Sequence, residues 1–175
     1  LAASERDLRV ALFERGADER YPCNSRFAGG ALHVAYTNPT SEPDDLLAAI
    51  NRVTKDEADP ALARVVAENA NRTVYWLRDH GVDFAPGPTP MHKFMVTPHR
   101  PMLAGLDWPA HGPDEMIKTL GRRLVASGGS FHQTAEVTAL RMEDGKCAGF
   151  CVRLDGSNET DIDAAGVLIA DGGFQ

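Results

Sequence analysis

Near residues 132–165 the chain reads as an antiparallel meander. Ala148, Phe150, Val152 and Leu154 alternate with Cys147, Gly149, Cys151 and Arg153, a period of two that puts one face in a core and the other in water. Asp144-Gly145 precedes this run and Asp155-Gly156 follows it, both dipeptides of the kind that closes a tight hairpin. Thr134 to Met142 reads as the strand before the first turn, and a short strand carrying Ile162 follows the second. The expectation is a small three-stranded meander near residues 132–165.

The rest of the chain follows a different pattern. Leu8, Val10 and Leu12 share one face of a short strand, Leu8 to Phe13, that ends in Glu14-Arg15-Gly16. Residues 17–41 are turn-rich and read as a shaped loop with one helical turn. Pro43-Asp44-Asp45 opens a helix with Leu46, Leu47, Ile50 and Val53 on one side, the two acids suiting its N-terminal dipole. Asp59 caps a longer helix that begins at Pro60, places Leu62, Val65, Val66, Trp76 and Leu77 on its apolar face and stops at Gly81. Seven of the eleven prolines lie from Pro86 to Pro113, so that stretch is expected to be irregular. A helix from Pro113 to about Ser127 follows, with Met116, Ile117, Leu120 and Leu124 inward. Gly166 to Ala170 is apolar on both faces, as in a buried parallel strand. Helices between parallel strands, with a meander attached, define an α/β chain.

Composition excludes several classes. With 18 Lys and Arg against 25 Asp and Glu, the net charge of −7 argues against nucleic acid and anionic membranes as partners. No apolar run approaches the ~20 residues that span a bilayer. Leu1 to Asp7 is charged and has no signal-peptide pattern, so the expected location is cytoplasmic. Cys23, Cys147 and Cys151 are too few and too unevenly placed for a disulfide framework. His92, His99 and His111 share a Pro-rich loop, but their spacing matches no compact zinc motif. No Gly-x-Ser-x-Gly elbow supports hydrolase chemistry.

Three local patterns are suited to a dinucleotide. A strand ends in an acid, Val10-Ala11-Leu12-Phe13-Glu14, where a carboxylate can accept from a ribose hydroxyl. Asn24-Ser25-Arg26-Phe27-Ala28-Gly29-Gly30 offers short polar side chains and backbone open to close approach. Ala170-Asp171-Gly172-Gly173 lies at the carboxyl end of the apolar run. Each taken alone is also an ordinary strand end or turn, and a noncatalytic α/β module with structural glycine loops is the competing reading.

In this order and spacing, the three patterns resemble the FAD-dependent oxidoreductases of the fumarate reductase and succinate dehydrogenase flavoprotein superfamily. The Asn-Ser-Arg-Phe loop continuing to Val34-Ala35-Tyr36 is most similar to the tricarballylate dehydrogenase branch. The resemblance covers essentially all of residues 1–175 and implies a partial, Rossmann-like FAD-binding domain. It implies that Glu14 bonds the adenosine ribose, with Arg15 near the adenine, and that Val137 gives backbone hydrogen bonds to the adenine edge. Asn24 and Ser25 would face the pyrophosphate, and Ala28, Gly29 and Gly30 the isoalloxazine ring. Ala170 and Gly172 would pack near the adenosine and pyrophosphate. Two positions depart from the family pattern: Pro22-Cys23 stands where Gly-Gly is usual, and Asp171 where the residue is usually small or Thr.

The family's glycine-rich dinucleotide turn is not in the sequence, and no Gly-x-Gly-x-x-Gly occurs elsewhere in it. The resemblance therefore implies the middle of a flavoprotein, with the substrate-holding His and Arg residues further along the parent chain. From this follow three expectations: no catalytic residue within these 175, weak or absent FAD binding by them alone, and self-association through unpaired edges of the Leu8–Phe13 and Val167–Ala170 strands. The parent's substrate would be a carboxylate-bearing small molecule such as tricarballylate, fumarate or succinate.

Overall fold

The computed structural model describes residues 1–99 and 108–172. In chain order the elements are β1 (Ala11–Phe13), α1 (Asn24–Phe27), β2 (Ala31–Leu32), α2 (Pro43–Thr54), α3 (Pro60–Asp79), β3 (Phe84–Ala85), β4 (Phe94–Val96), α4 (Gly112–Ala126), β5 (Ser130–His132), β6 (Ala135–Glu143), β7 (Lys146–Leu154) and β8 (Glu159–Asp163). They fall into two units, one made of Leu1–Asn24 with Gly121–Gln175, the other of Ser25–Leu120.

In the first unit β1 pairs in parallel with β5, Leu12 opposite Phe131. The meander forms as expected, in the order β6-β7-β8. Leu140 lies opposite Phe150, and Phe150 opposite Ile162. Asp144 and Gly145 both take positive φ, 48° and 75°, the backbone that lets a two-residue turn follow the twist of its strands. Ala135, Phe150 and Val152 form the buried core, with Phe13, Leu154, Ile162 and Val167 packed on it. The Phe13 ring meets Phe150 edge-on at 4.9 Å, which seats β1 on the meander. The opposite face is a ladder of ions. Arg141 reaches Asp163 at 2.5 Å, Glu143 at 3.2 Å and Asp161 at 3.4 Å. Gly149 is required where it stands, because a Cβ there would run into the Ile162 carbonyl.

Two strand expectations in this unit need correction. The first strand is shorter than Leu8 to Phe13, and Leu8 and Leu12 are exposed. Its one hydrogen-bonded neighbour among the described residues is β5, and the face on which those leucines lie is only partly covered. Gly166 to Ala170 is not a strand at all: Leu168 is 92% exposed and Ile169 61%, while Val167 alone packs on the core. An apolar run becomes a buried strand only with a ladder on each side. Among the described residues none pairs with this one, so its apolar composition gave the wrong reading.

In the second unit α2 packs on α3, with Leu46 and Ala49 buried on one helix and Ala63, Ala67 and Val74 on the other. The expected apolar face of α3 is rotated. Leu62 is 67% exposed, and Val65 and Val66 are exposed with it. Small alanines on the inner side let the two helix backbones approach closely, and that geometry outweighs the larger but outward valines. The ends of α3 are as expected. The Asp59 carboxylate accepts from the amides of Ala61 and Leu62, both at 2.9 Å, and Gly81 follows at φ 83°. A small antiparallel sheet in the order β2-β4-β3 crosses the stretches read as loop and as irregular. Strands of two and three residues are too short to carry a periodic signal.

Candidate functional site

The carboxyl end of β1 is where the first unit gathers polar groups. The Glu14 amide donates to the His132 carbonyl at 2.9 Å, extending the parallel pairing by one residue. Its carboxylate turns back, and Oε1 accepts from the Gly16 amide at 2.7 Å. Oε2 has no hydrogen-bond partner among the described residues. A half-buried carboxylate with one oxygen braced and one open can accept from a hydroxyl without moving. Gly16 is needed for this bend, because a Cβ would strike the Tyr21 side chain.

The same bend is tied to the meander. The Ala135 amide donates to the Glu14 carbonyl and the Thr134 amide to the Gly16 carbonyl, each at 2.9 Å. These bonds orient an entire strand edge. Backbone groups two residues apart in a strand point the same way, so the N–H and C=O of Val137 project from the edge that Ala135 turns toward Glu14. The edge strand β6 pairs with β7 on its other side. Glu14 and Val137, 123 positions apart by number, thus lie along one edge. A depression of about 210 Å³ beside them is lined by Arg15, Thr134, Glu136, Arg153 and Gly156. Arg153 is held there by Glu136 at 2.7 Å.

The other expected site residues are distributed as follows. Asn24 begins α1 and is exposed, and it belongs to the first unit. Ser25, Ala28, Gly29 and Gly30 belong to the second. Ser25, Ala28 and Gly29 are exposed and Gly30 is buried at φ 84°. A Cβ on Gly29 would meet no atom within 4 Å, so its backbone borders open space. Ala170 and Gly172 lie in the exposed segment after Val167, Gly172 at φ 95°. Among the described residues no hydrogen bond joins them to Glu14 or Val137. Gly173 lies outside the described residues.

Three features at these sites escaped the sequence reading. Gly16 and the Thr134–Ala135 amides define the bend, and only a Gly directly after an acidic strand end hinted at it. The third is a buried ion pair of the second unit, Arg26 with Asp114. Its partners are 88 residues apart, and no local pattern joins them.

A search of curated proteins finds no match. Solved structures do resemble the chain. The 3-ketosteroid-Δ4-(5α)-dehydrogenase of Rhodococcus jostii RHA1, in complex with 4-androstene-3,17-dione, is similar at a TM-score of 0.67 and 18% identity, over 93% of this chain and 40% of that one. A flavocytochrome c3 fumarate reductase in its open conformation gives 0.68 and 18%, over 94% and 33%. Mycobacterium smegmatis Sdh1 in complex with UQ1 gives 0.69 and 20%, over 98% and 31%. At these identities the likeness is one of fold. The chain spans between 31% and 40% of the length of these three proteins. A model described as FAD binding domain matches the sequence without interruption, and on that match the chain, from residue 1 to residue 175, belongs to the FAD binding domain family.

Proposed function

We propose that these residues form part of the FAD-binding domain of a flavoprotein oxidoreductase that acts on a carboxylate-bearing small molecule such as tricarballylate, fumarate or succinate. The observation that carries the reading is the shared edge of Glu14 and Val137, formed by the bonds from Thr134 and Ala135 to the bend after β1. A ribose hydroxyl donates to the open Glu14 Oε2. The adenine edge, which carries a donor and an acceptor side by side, meets the paired N–H and C=O of Val137. Arg15 flanks the base from the lining of the neighbouring depression.

In the first unit the residues present fit the adenosine on two counts, an acceptor with an open oxygen and a strand edge unpaired among the described residues. In the second, taken by itself, the exposed Gly29 backbone borders space that a Cβ would not fill. Asn24 and Ser25 bond the pyrophosphate, Ala28, Gly29 and Gly30 present backbone to the isoalloxazine, and Ala170 and Gly172 pack near the adenosine and pyrophosphate. Bound FAD supplies hydride acceptance or donation at a carbon–carbon bond beside a carboxylate or carbonyl. The contribution of this chain is binding and orientation, and its residues include no catalytic group.

We assign the chain to a longer, cytoplasmic flavoprotein of the tricarballylate dehydrogenase branch. The share of each similar structure that it covers and the Asn24 to Tyr36 sequence support this reading. No helix among the described residues is long and apolar enough to cross a membrane. Apolar exposure at Leu8, Leu168 and Ile169 supports self-association of the isolated residues.

The test compares FAD titrations of the full-length protein and of residues 1–175 alone, followed by flavin absorbance after gel filtration. Stoichiometric flavin with the full-length protein and weak binding by the shorter chain is the expected result. A full-length protein that takes up no FAD would overturn the assignment.

A further inference from the structure

Arg26 is 1% exposed and Asp114 is 0% exposed, and they face each other as an ion pair through Nη1 and Oδ1. Two charges out of water are expensive, and an apolar pair of similar volume commonly holds a fold as well. The placement of the pair suggests what else it accomplishes.

Asp114 sits in the first turn of α4, where the helix dipole favours a carboxylate. Its Oδ2 accepts from the Ala110 amide at 2.8 Å, and the Lys118 ammonium stands 3.9 Å away. A carboxylate held from several directions on a 15-residue helix is a fixed point. Arg26 is held against it from behind, its guanidinium lying over the Trp108 ring at 5.7 Å. The next residue, Phe27, meets Trp108 edge-on at 5.5 Å.

Four residues beyond Arg26 the chain is tied again. The Gly30 carbonyl accepts from the Val96 amide at 2.9 Å, and a Cβ added at Gly30 would lie 3.4 Å from the ring of Pro113, the neighbour of Asp114. Between these two buried anchors, Ala28 and Gly29 are exposed. The segment is a short span with both ends buried against the start of α4 and its middle presented outward.

We propose that the Arg26–Asp114 pair is a positioning device that sets the Ala28–Gly29 backbone for the flavin. This rests on the FAD reading given above. The pair does not touch the cofactor: it fixes one end of the span, and the Gly30 contacts fix the other. Directional hydrogen bonds hold that end in one orientation, whereas an apolar pair would only fill the space. Backbone that meets a rigid ring must be set to within fractions of an ångström for its contacts to form.

The experiment uses the full-length flavoprotein and the variants Asp114→Asn, Arg26→Lys and the double variant Arg26→Met with Asp114→Leu. The readouts are FAD affinity, visible-region circular dichroism of the bound flavin, and thermal unfolding of the apoprotein. Asp114→Asn is expected to weaken FAD binding by roughly tenfold and to alter the flavin dichroism, with Arg26→Lys in between. The double variant is expected to keep the apoprotein's unfolding temperature and still lose the flavin signature. Variants that bind FAD with wild-type affinity and dichroism would overturn the proposal, even if their melting temperatures fall. Should Asp114→Asn fail to fold, the double variant decides by the same readouts. A wild-type protein that holds no FAD would overturn the underlying reading instead, so the two failures are distinct.

Discussion

Replacing Glu14 tests the adenosine end directly, because its two carboxylate oxygens have separable jobs. Oε1 accepts from the Gly16 amide at 2.7 Å, and Oε2 is the open acceptor assigned to the ribose. In the full-length protein, Glu14→Ala removes both. Losing a charged acceptor for a ligand hydroxyl costs about 1–3 kcal/mol, which is roughly 5- to 150-fold in FAD affinity. Leaving the Gly16 amide without its acceptor costs a further ~0.5–1.5 kcal/mol, but in folding stability. Glu14→Gln separates the two. Its amide oxygen can still accept from Gly16, so stability should stay close to wild type, while the neutral oxygen is a weaker partner for the hydroxyl. Flavin fluorescence titration reads the first quantity, and the urea midpoint at constant slope reads the second. Glu14→Ala with lowered stability and unchanged FAD affinity would refute the ribose assignment and leave Glu14 as a brace for the turn.

Gly16→Ala should lower stability by about 1–3 kcal/mol, because the added methyl meets the buried Tyr21 side chain, itself packed edge-on to Phe131. Denaturant unfolding checks it, and a change below ~0.5 kcal/mol would mean that the loop moves aside at little cost. Partial desolvation and then the Asp161 carboxylate, whose Oδ1 lies 3.4 Å from Sγ, raise the Cys151 thiol above the usual cysteine range. The neutral thiol is therefore favoured, and near pH ~8 iodoacetamide should label Cys151 more slowly than free cysteine. Asp161→Asn should speed the labelling, as followed by peptide mass spectrometry.

The parts of the fold that were legible in the sequence are those whose signal is local. Asp144-Gly145 and the alternation from Ala148 to Leu154 specify a hairpin and its faces within one stretch of chain, and the meander follows them residue by residue. Asp59, Pro60 and Gly81 mark the ends of α3 by the same kind of short-range chemistry. Which side of α3 is buried is a different matter, since it depends on the partner helix. Leu62, Val65 and Val66 are the larger residues, but α2 selects the alanines, whose small size permits close approach. β5 was hidden for a related reason. Ser130 to His132 is a strand only because β1 lies beside it, and three residues have no period of their own.

The candidate site divides along the same line. The acidic end of β1 and the glycines after Arg26 are visible in sequence because strand ends and close-approach backbone need particular residue types. What gives them a geometry is long-range: the Thr134 and Ala135 amides that fix the bend at Glu14, and the Asp114 carboxylate that anchors Arg26. None of these three residues is unusual for its own element. An amide before a strand has no side-chain signature, and an acid in the first turn of a helix is already accounted for by the helix dipole. Asp114 therefore reads as ordinary until its burial is known. At 0% exposure a dipole preference worth about 0.3–1 kcal/mol no longer suffices, because a carboxylate removed from water needs a full set of partners. Burial turns a routine helix-start acid into half of an ion pair, and the other half lies in α1, just before the glycines that the sequence had already marked.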